Sequence, residues 1–345
     1  MSSAPRACYP PRARLGRAPS PKSTLRRSRS RAERGSRFGF QEPSASTETR
    51  GTATRTHAAM PARDPPIAFE ATGEWYDGEI RRFVRLDNEN PPERRGVVFV
   101  GSSIFREWRE ARDFAADLAP LPAVNRAFGG STARDQLRDD IMDAIVFPHE
   151  PRVLVYYCGS NDLNEGESPR RIRDAFATWS EKALENARDV GASSIRLAGR
   201  DDAALSRKET KHAHAAPQIQ IVFVSINRAP QKRPLWDALD ETNRLVKAYC
   251  EARGDTHAFV DVNPALFEDG ARMTVPKTSL FRDDGLHFEP SADAYEAWVP
   301  TVRDAVFRAW DRAIEWEKRG ESSPDASRKE GADAGEDPYL PPRSR

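Results

Sequence analysis

A short apolar run that ends in small residues, GVVFVGSS at positions 96–103, constrains the fold of this chain more than any other stretch. Its first five residues are mainly β-branched, which is typical of a fully buried parallel strand, and Gly101 and Ser102 indicate a tight turn at the strand's end. The following IFREWREARDFAADLAP has helical residues and a stop at Pro120. Ser103 is therefore expected at a strand-to-helix junction, where it is either a helix cap or a functional group at the mouth of a sheet.

The same order of strand, small-residue loop and helix occurs twice more. AVNRAF at 123–128 is a short strand candidate, followed by a Gly-Gly-Ser-Thr loop and a helical segment. RVLVYYC at 152–158 leads through GSNDLNEG into a helix with Ser168 as N-cap and Pro169 in its first turn. This alternation predicts a parallel sheet with helices on both faces, and such sheets bind ligands at the carboxyl ends of their strands.

Further elements complete the predicted sheet. Residues 219–226 and 258–262 indicate a fourth and a fifth strand, with an amphipathic helix between them and a closing helix that opens near Pro290. Another helix is predicted before the first strand, with one apolar face made of Trp75, Ile80, Phe83 and Val84.

The segment at 191–218 is polar and lacks sustained periodicity, so we expect a surface insertion there. His212 and His214 in it raise the question of a metal ion, but no third ligand lies nearby, and a solvated loop is the favoured interpretation. Cys158 and Cys250 are far apart and outside any CxxC pair, so we expect them to pack as small apolar residues rather than to form a disulfide or a zinc site.

Composition changes at both ends of the chain. Residues 1–62 are rich in Arg, Ser and Pro, and lack the apolar core of a secretory signal. This favours an organelle transit peptide, for a plastid rather than a mitochondrion because Pro interrupts an amphipathic helix. The alternatives are a nucleic-acid-binding arm and a disordered segment without an address, in which case the protein is cytoplasmic. Residues 318–345 predict a disordered tail. No apolar run approaches the ~18 residues of a membrane span, so we expect a soluble protein.

Four short loops follow the predicted strands or precede the closing helix: GSS at 101–103, FGGST at 128–132, GSND at 159–162 and DGLH at 284–287. With Trp108 and the later segments VSINRAP and LWDALDETNRL, they resemble the SGNH (GDSL-type) hydrolases, in the branch whose first block reads GSS. The resemblance extends from about residue 70 to 313, outside the insertion. It implies a three-layer α/β/α fold with a flavodoxin-like parallel sheet of about five strands, in a hydrolase domain at 66–317.

The chemistry of acyl transfer assigns roles to three of these residues. A serine hydroxyl is a weak nucleophile until a base takes its proton, so Ser103 needs an imidazole, and His287 has the strongest loop context. Asp284 stands three residues earlier, a spacing that lets one tight turn bring its carboxylate to the back of the ring. Taken alone, His287 is better explained as a polar loop residue that bonds its own backbone, and the other blocks are what favour the role of base.

The resemblance also implies an oxyanion hole formed by the backbone N–H groups of Ser103 and Gly130 and by the side-chain amide of Asn161. Glycine at 130 suits a place where backbone approaches substrate closely, although a simple turn glycine fits the same position. For Asn161 the structural alternative is an Asx turn after the strand.

Other residues of these blocks are expected to have structural roles. Asp162 and Asp283 should organise their loops. Many family members carry Asp where this chain has Ser102, a change that concerns loop packing more than activity. Substrate specificity is expected in the segments 104–122 and 228–234.

The first hypothesis for function is a serine esterase or lipase-like acyl hydrolase that forms an acyl-enzyme and needs no metal ion and no cofactor. Its expected partner is a small-molecule ester, either lipid, acetyl or carbohydrate, and the domain is not expected to bind nucleic acid. A second hypothesis is a non-catalytic ligand-binding module on the same fold. A nucleotide-binding α/β protein ranks last, because no GxGxxG or GxxxxGK[ST] motif occurs. The oligomeric state is left open.

Overall fold

The computed structural model describes residues 65–201, 219–291 and 293–319. Its strands are β1 (Val97–Gly101), β2 (Ala123–Asn125), β3 (Val153–Tyr157), β4 (Gln220–Val224) and β5 (His257–Val260). They form one parallel sheet in the order β2-β1-β3-β4-β5. This is the strand order of the flavodoxin-like doubly wound fold, so the predicted fold class is confirmed.

The helices that the structure describes are α1 (Asp77–Glu89), α2 (Ser103–Ala111), α3 (Phe114–Leu118), α4 (Ala133–Gln136), α5 (Asp139–Ile145), α6 (Ser160–Asn164), α7 (Pro169–Asp201), α8 (Trp236–Glu251) and α9 (Asp293–Arg319). Short 3₁₀ turns at Phe147–His149, Pro230–Leu235, Asn263–Leu266, Gly270–Arg272 and Thr278–Leu280 lie between them. Within the described ranges, no helix is long and apolar enough to cross a membrane.

The helices cover both faces of the sheet because successive strand residues point to opposite sides. Along β1, Val98 and Val100 join an apolar cluster with residues of α1, α5, α7 and α8. Val97 and Phe99 join the opposite cluster, which α2, α3 and α9 supply. Burial on both faces explains why β1 reads as a continuous apolar run rather than an alternating one.

The single helix predicted between Ser103 and Pro120 is in fact two, α2 and α3. The carboxylate of Asp113 accepts a hydrogen bond from the amide of Ala116 at 3.1 Å and so caps the start of α3. A capping side chain at this position stabilises a new helix start more than continuation of the first helix. The helix predicted after the Gly-Gly-Ser-Thr loop is likewise divided into α4 and α5, and Thr132 caps the first of them.

The helix α7 begins at Pro169, one residue after Ser168, as predicted. It continues to Asp201, whereas the loss of periodicity predicted that regular structure would end near residue 191. Residues 191–201 contain no proline, and the helix continues through them although Gly191 and Gly199 have low helix propensity. The rest of the proposed insertion, with its two histidines, lies outside the described residues, as do the 1–62 arm and the tail beyond residue 319.

Trp75 does not belong to the apolar face of α1, and that part of the prediction was wrong. The residue precedes the helix and is 64% exposed, whereas Tyr76 is 2% exposed. Positions 76, 80, 83 and 84 follow the i, i+4, i+7, i+8 spacing of one helix face, and position 75 is one residue out of phase. Tyr76 therefore occupies the core position assigned to Trp75.

Both cysteines of the domain, Cys158 and Cys250, are buried and unpaired, as predicted. Burial raises the pKa of each thiol above its ordinary value, which disfavours the reactive thiolate. In the described part of the chain no group of three or more His, Cys, Asp or Glu residues could hold a metal ion.

Candidate active site

The candidate site lies at the carboxyl ends of β1 and β3. In the order β2-β1-β3-β4-β5 the direction of winding reverses between these two strands. Such a switch point leaves a crevice that helices do not cover, and ligands of doubly wound sheets bind there. Ser103 follows β1 and Asn161 follows β3, so both lie beside the crevice.

The turn after β1 requires glycine. Gly101 has a φ of +144°, and a Cβ built on it would lie 2.0 Å from the carbonyl oxygen of Tyr157. This tight turn lets α2 begin at once, with Ser102 in the N-cap position and Ser103 as the first helical residue. Ser103 is therefore not the cap, and its side chain is left for another role.

Ser103, His287 and Asp284 form a continuous hydrogen-bonded series. The Oγ atom of Ser103 lies 3.0 Å from Nε2 of His287, and Nδ1 of His287 lies 2.7 Å from Oδ2 of Asp284. The other carboxylate oxygen of Asp284 accepts the backbone amides of Leu286 and His287 at 2.8 and 2.9 Å. One short loop thus holds acid and imidazole in a fixed relation, as the spacing of three predicted.

Asp284 is a carboxylate at neutral pH. Partial burial acts to raise its pKa, but hydrogen bonds from the His287 ring and from two backbone amides outweigh burial and lower the pKa to about 2. An ionised carboxylate is an acceptor only, so the proton between Asp284 and His287 belongs on Nδ1. Nε2 of the neutral ring is then the acceptor that faces the Ser103 hydroxyl.

The three predicted oxyanion donors come from loops that are bonded to one another. The side-chain nitrogen of Asn161 donates to the carbonyl of Ser131 at 2.9 Å, and the hydroxyl of Ser131 donates to the carbonyl of Gly101 at 3.1 Å. Gly130, next to Ser131, has a φ of +71°, a conformation that favours glycine. These bonds connect the loops after β1, β2 and β3.

Free hydrogen-bond donors remain at this point. Among the described residues, no backbone acceptor takes the amide hydrogen of Ser103 or of Gly130. A primary amide has two N–H donors, and the Ser131 carbonyl occupies one of those on Asn161. The arrangement therefore offers up to three donors to an anionic oxygen.

The neighbouring acids differ in environment. Asp162 is buried, and its carboxylate accepts the amide of Ala133 at 2.9 Å, which fixes the start of α4 to the β3 loop. Burial raises its pKa to about 6 even though this hydrogen bond acts in the opposite direction. Asp283 is exposed.

Sequence reasoning missed Glu107, a buried carboxylate beside the imidazole. Its Oε1 lies 3.9 Å from Nε2 of His287 and 3.0 Å from Nη2 of Arg106, and its Oε2 lies 3.0 Å from Nη2 of Arg282. Glu107 is one helical turn beyond Ser103, so both face the same side of α2. A charged residue four positions after the candidate nucleophile, on an otherwise apolar helix face, is the signal that could have revealed it.

The segment at 228–234, expected to contribute specificity, also links two loops of the site. The amide of Gln231 donates to the carbonyl of Gly285 at 2.9 Å, within the loop of His287. The ammonium group of Lys232, which is buried, donates to the carbonyl of Ser160 at 3.1 Å, next to Asn161. Burial lowers the pKa of Lys232 to about 8. The 104–122 segment forms α2 and α3, so it is helical rather than a free loop.

Several solved structures resemble the chain at low identity. One is a member of the lipolytic protein G-D-S-L family from Veillonella parvula, with 16% identity and a TM-score of 0.41, covering 61% of this chain and 98% of that one. A carbohydrate esterase family 3 protein from Talaromyces cellulolyticus has 14% identity and a TM-score of 0.41, over 62% and 97% of the two chains. The lipase/acylhydrolase from Enterococcus faecalis has 18% identity and a TM-score of 0.39, over 61% and 95%. A search of curated proteins found no match.

The sequence itself provides the assignment to a family. The model of the GDSL-like lipase/acylhydrolase family matches residues 99–297, which is more than half of the 345-residue chain and includes all four predicted site blocks and the whole of β2, β3, β4 and β5. The matched stretch begins within β1 and contains Ser103, Gly130, Asn161, Asp284 and His287. The chain belongs to the GDSL-like lipase/acylhydrolase family, whose members are hydrolases that act on esters.

Proposed function

We propose that this protein is a serine esterase that cleaves carboxylic esters through an acyl-enzyme on Ser103. The observation that carries the proposal is the hydrogen-bonded series from the Ser103 hydroxyl through His287 to Asp284, with contacts of 3.0 and 2.7 Å. A nucleophile, a base and an orienting carboxylate in this geometry are the parts that acyl transfer requires.

In the first half of the reaction, Oγ of Ser103 attacks the acyl carbon while its proton moves to Nε2 of His287. The carbonyl electron pair moves onto oxygen, and the amides of Ser103 and Gly130 with the free N–H of Asn161 stabilise that charge. The imidazolium is stabilised by the Asp284 carboxylate at Nδ1. As the tetrahedral intermediate collapses, the ester C–O bond breaks, and the departing alcohol oxygen takes the proton from Nε2.

The second half repeats these steps with water in place of serine. His287 takes a proton from the water as its oxygen attacks the acyl carbon, and the bond to Ser103 then breaks. The proton returns from Nε2 to Oγ, which releases the carboxylic acid and restores the enzyme. No metal ion or cofactor has a part in this proposal.

The alternative function is a binding module that retains the fold without catalysis. Loss of one of the three reacting groups would favour it, but all three are present and within hydrogen-bonding distance. A binding module has no need of a serine hydroxyl directed at an imidazole that a carboxylate orients.

Labelling with a serine-directed fluorophosphonate tests the proposal. Wild-type protein should be labelled and should release acetic acid from ethyl acetate, and Ser103→Ala should lose both properties. The matched control is Ser102→Ala, one position earlier, whose side chain is buried and makes no capping hydrogen bond. Labelling that persists in folded Ser103→Ala, or that disappears equally in the control, would refute the assignment of Ser103.

A further inference from the structure

Trp75 lies directly beside the candidate oxyanion hole, although its indole is 64% exposed. A Cβ built on Gly130 would lie 2.9 Å from Cη2 and 3.2 Å from Cζ2 of the indole. The six-membered ring therefore covers the side of Gly130 on which any other residue would carry its side chain. One edge of the ring contacts the site, and most of the rest faces solvent.

The indole is held in place by the turn before α1. The carboxylate of Asp77 accepts the amides of Thr72 and Gly73, both at 2.8 Å, and the hydroxyl of Thr72 at 3.1 Å. These three bonds fix the backbone that leads to Trp75. A ring on such a turn loses little conformational freedom when a ligand binds, so contact with it adds more to affinity.

Packing below the indole fixes it further. Its ring meets that of Tyr76 edge to face, with centroids 5.2 Å apart and an interplanar angle of 80°. Tyr76 is buried and packs on Phe128 at 4.9 Å, in the same loop as Gly130. Single exposed apolar residues are ordinary on protein surfaces. The exposed Trp75 indole differs from such residues, because it is held against Gly130, a candidate oxyanion donor, while its outer face is not used for packing.

The surroundings of the indole select the chemistry of a ligand. Glu74, the residue before Trp75, forms an ion pair with Arg138 at 3.5 Å, and the guanidinium of Arg138 lies 6.0 Å from the ring centre of Tyr76, against which the indole packs. An alkyl chain gains most from complete removal from water, which an open ring bordered by charges does not provide. A sugar ring has a face of C–H groups for the indole and hydroxyl groups for the carboxylate and guanidinium, and it remains partly hydrated when bound.

We propose that Trp75 is a stacking platform for a sugar ring, so that the substrate is an ester of a carbohydrate hydroxyl. This inference rests on the proposed esterase function and specifies its substrate class. Trp75 lies outside the stretch 99–297 that the family model matches. The sugar is the alcohol part of the ester, and its bound oxygen receives the proton from His287 in the mechanism above.

The test compares two acetate esters, ethyl acetate and a monoacetylated methyl xyloside, by acetic acid release. Trp75→Ala should raise KM for the sugar ester about tenfold, the effect of one lost aromatic contact, and leave kcat nearly unchanged. The ratio of kcat/KM for the sugar ester to kcat/KM for ethyl acetate should therefore fall about tenfold, since ethyl acetate has no sugar to stack. Trp75→Phe should retain most of the affinity for the sugar ester. Leu86→Ala, which truncates another exposed apolar side chain, is the matched control.

Three outcomes would overturn the platform. An equal loss on both esters would mean that Trp75 supports Gly130 rather than binding sugar. A loss that grows from acetate to butyrate to octanoate esters would mean that the indole contacts the acyl chain. No change on either ester would remove Trp75 from the substrate site altogether.

A binding measurement separates failure of this inference from failure of the proposed function. Ser103→Ala, which should not hydrolyse ester, is titrated with the monoacetylated methyl xyloside while indole fluorescence is followed. We expect a saturable change that is absent when Trp75→Phe is added to the same variant. A protein that hydrolyses neither ester but shows this Trp75-dependent change would refute the esterase and support the platform; the opposite pattern would refute the platform alone.

Discussion

Asn161 donates one amide hydrogen to the carbonyl of Ser131, and this bond directs the other hydrogen of its Nδ2. We predict that Asn161→Ala lowers kcat roughly 10²–10³-fold, as expected for the loss of one oxyanion donor. KM should move little, because the bond strengthens mainly as charge develops on oxygen. Steady-state kinetics on ethyl acetate give both values, and fluorophosphonate labelling of Ser103 should slow but continue.

A rise in KM with kcat preserved would instead show that Asn161 binds the ground state of the substrate. Asn161→Asp serves as the size-matched comparison, since it keeps the shape and replaces the donor with an acceptor. We expect it to be at least as slow as Asn161→Ala, because a carboxylate repels both the Ser131 carbonyl and a developing oxyanion.

Residues of the site differ in how far sequence could predict them. Ser103, Asp284 and His287 stand in short blocks whose spacing reflects local turns, and the structure brings them together. Glu107 has no such block, since its importance arises only when a distant loop packs against α2. Trp75 was misassigned because hydrophobicity and a phase error of one residue both pointed to the core.

At the scale of elements, α2 and the loop at 281–288 each carry part of the candidate site, and one ion pair joins them. Glu107 is on the helix that Ser103 begins, and Arg282 is on the loop of His287. The backbone of Arg282 also donates to the carbonyl of His287 at 2.8 Å, so its position is tied to the position of the imidazole. The pair therefore connects the helix that carries Ser103 to the loop that carries His287.

We predict that Glu107→Gln and Arg282→Gln each lower kcat roughly ten- to a hundredfold, because small misplacements of reacting groups have effects of that size. The double variant should be little slower than either single variant, since both remove the same ion pair. Arg282→Lys should recover part of the loss. Kinetics of the four variants with thermal melting of each provide the measurement.

Arg112→Gln is the control, because it breaks ion pairs with Asp117 and Glu296 at the far end of α2. It should alter stability without altering kcat. If the losses for Glu107→Gln and Arg282→Gln are additive, or if Arg112→Gln loses as much kcat for the same fall in melting temperature, the ion pair has no positioning role.

Helix boundaries were harder to predict than helix presence. The division at Asp113 depends on a capping bond that competes with helix continuation, and the sequence shows the residue type but not which alternative is more stable. The extension of α7 to Asp201 has the opposite cause, since no proline intervenes and two glycines, Gly191 and Gly199, do not end the helix.

At the scale of the whole molecule, three repeats of strand, loop and helix were enough to predict a parallel doubly wound sheet. Right-handed crossovers and buried central strands restrict such a chain to few topologies, and the observed order places the winding reversal between β1 and β3. The strand order cannot be predicted from any one segment of the sequence. It follows from how the apolar faces of all helices divide between the two sides of the sheet.

One buried histidine distant from the candidate site should contribute to the acid sensitivity of this fold. His257, at the start of β5, is 3% exposed and packs edge to face against Tyr249 at 5.4 Å and Phe176 at 6.3 Å. Its Nδ1 lies 2.8 Å from the hydroxyl of Thr256, and Nε2 has no hydrogen-bond partner among the described residues. Burial, with a contribution from the charge of Arg253, lowers the pKa of His257 to about 3.

Because the folded pKa lies below the unfolded value of about 6.5, the unfolded chain binds the proton more readily. The neutral ring contributes stability that is present above pH ~6.5 and is lost as pH falls toward 3, by up to about 1.4 kcal/mol per pH unit. His257→Phe keeps the aromatic packing without the titration, so its free energy of unfolding should fall less between pH 6.5 and 4 than that of wild type. Urea denaturation at a series of pH values measures the difference. Asp162 has the opposite effect on the pH dependence of stability. Because its pKa is raised to about 6 in the folded protein, it stabilises the folded state at low pH, and this contribution is lost as the pH rises through 6. Asp162→Asn should therefore lose stability more steeply than wild type as the pH falls. Parallel curves of unfolding free energy against pH for wild type and His257→Phe would show that His257 does not control the acid sensitivity.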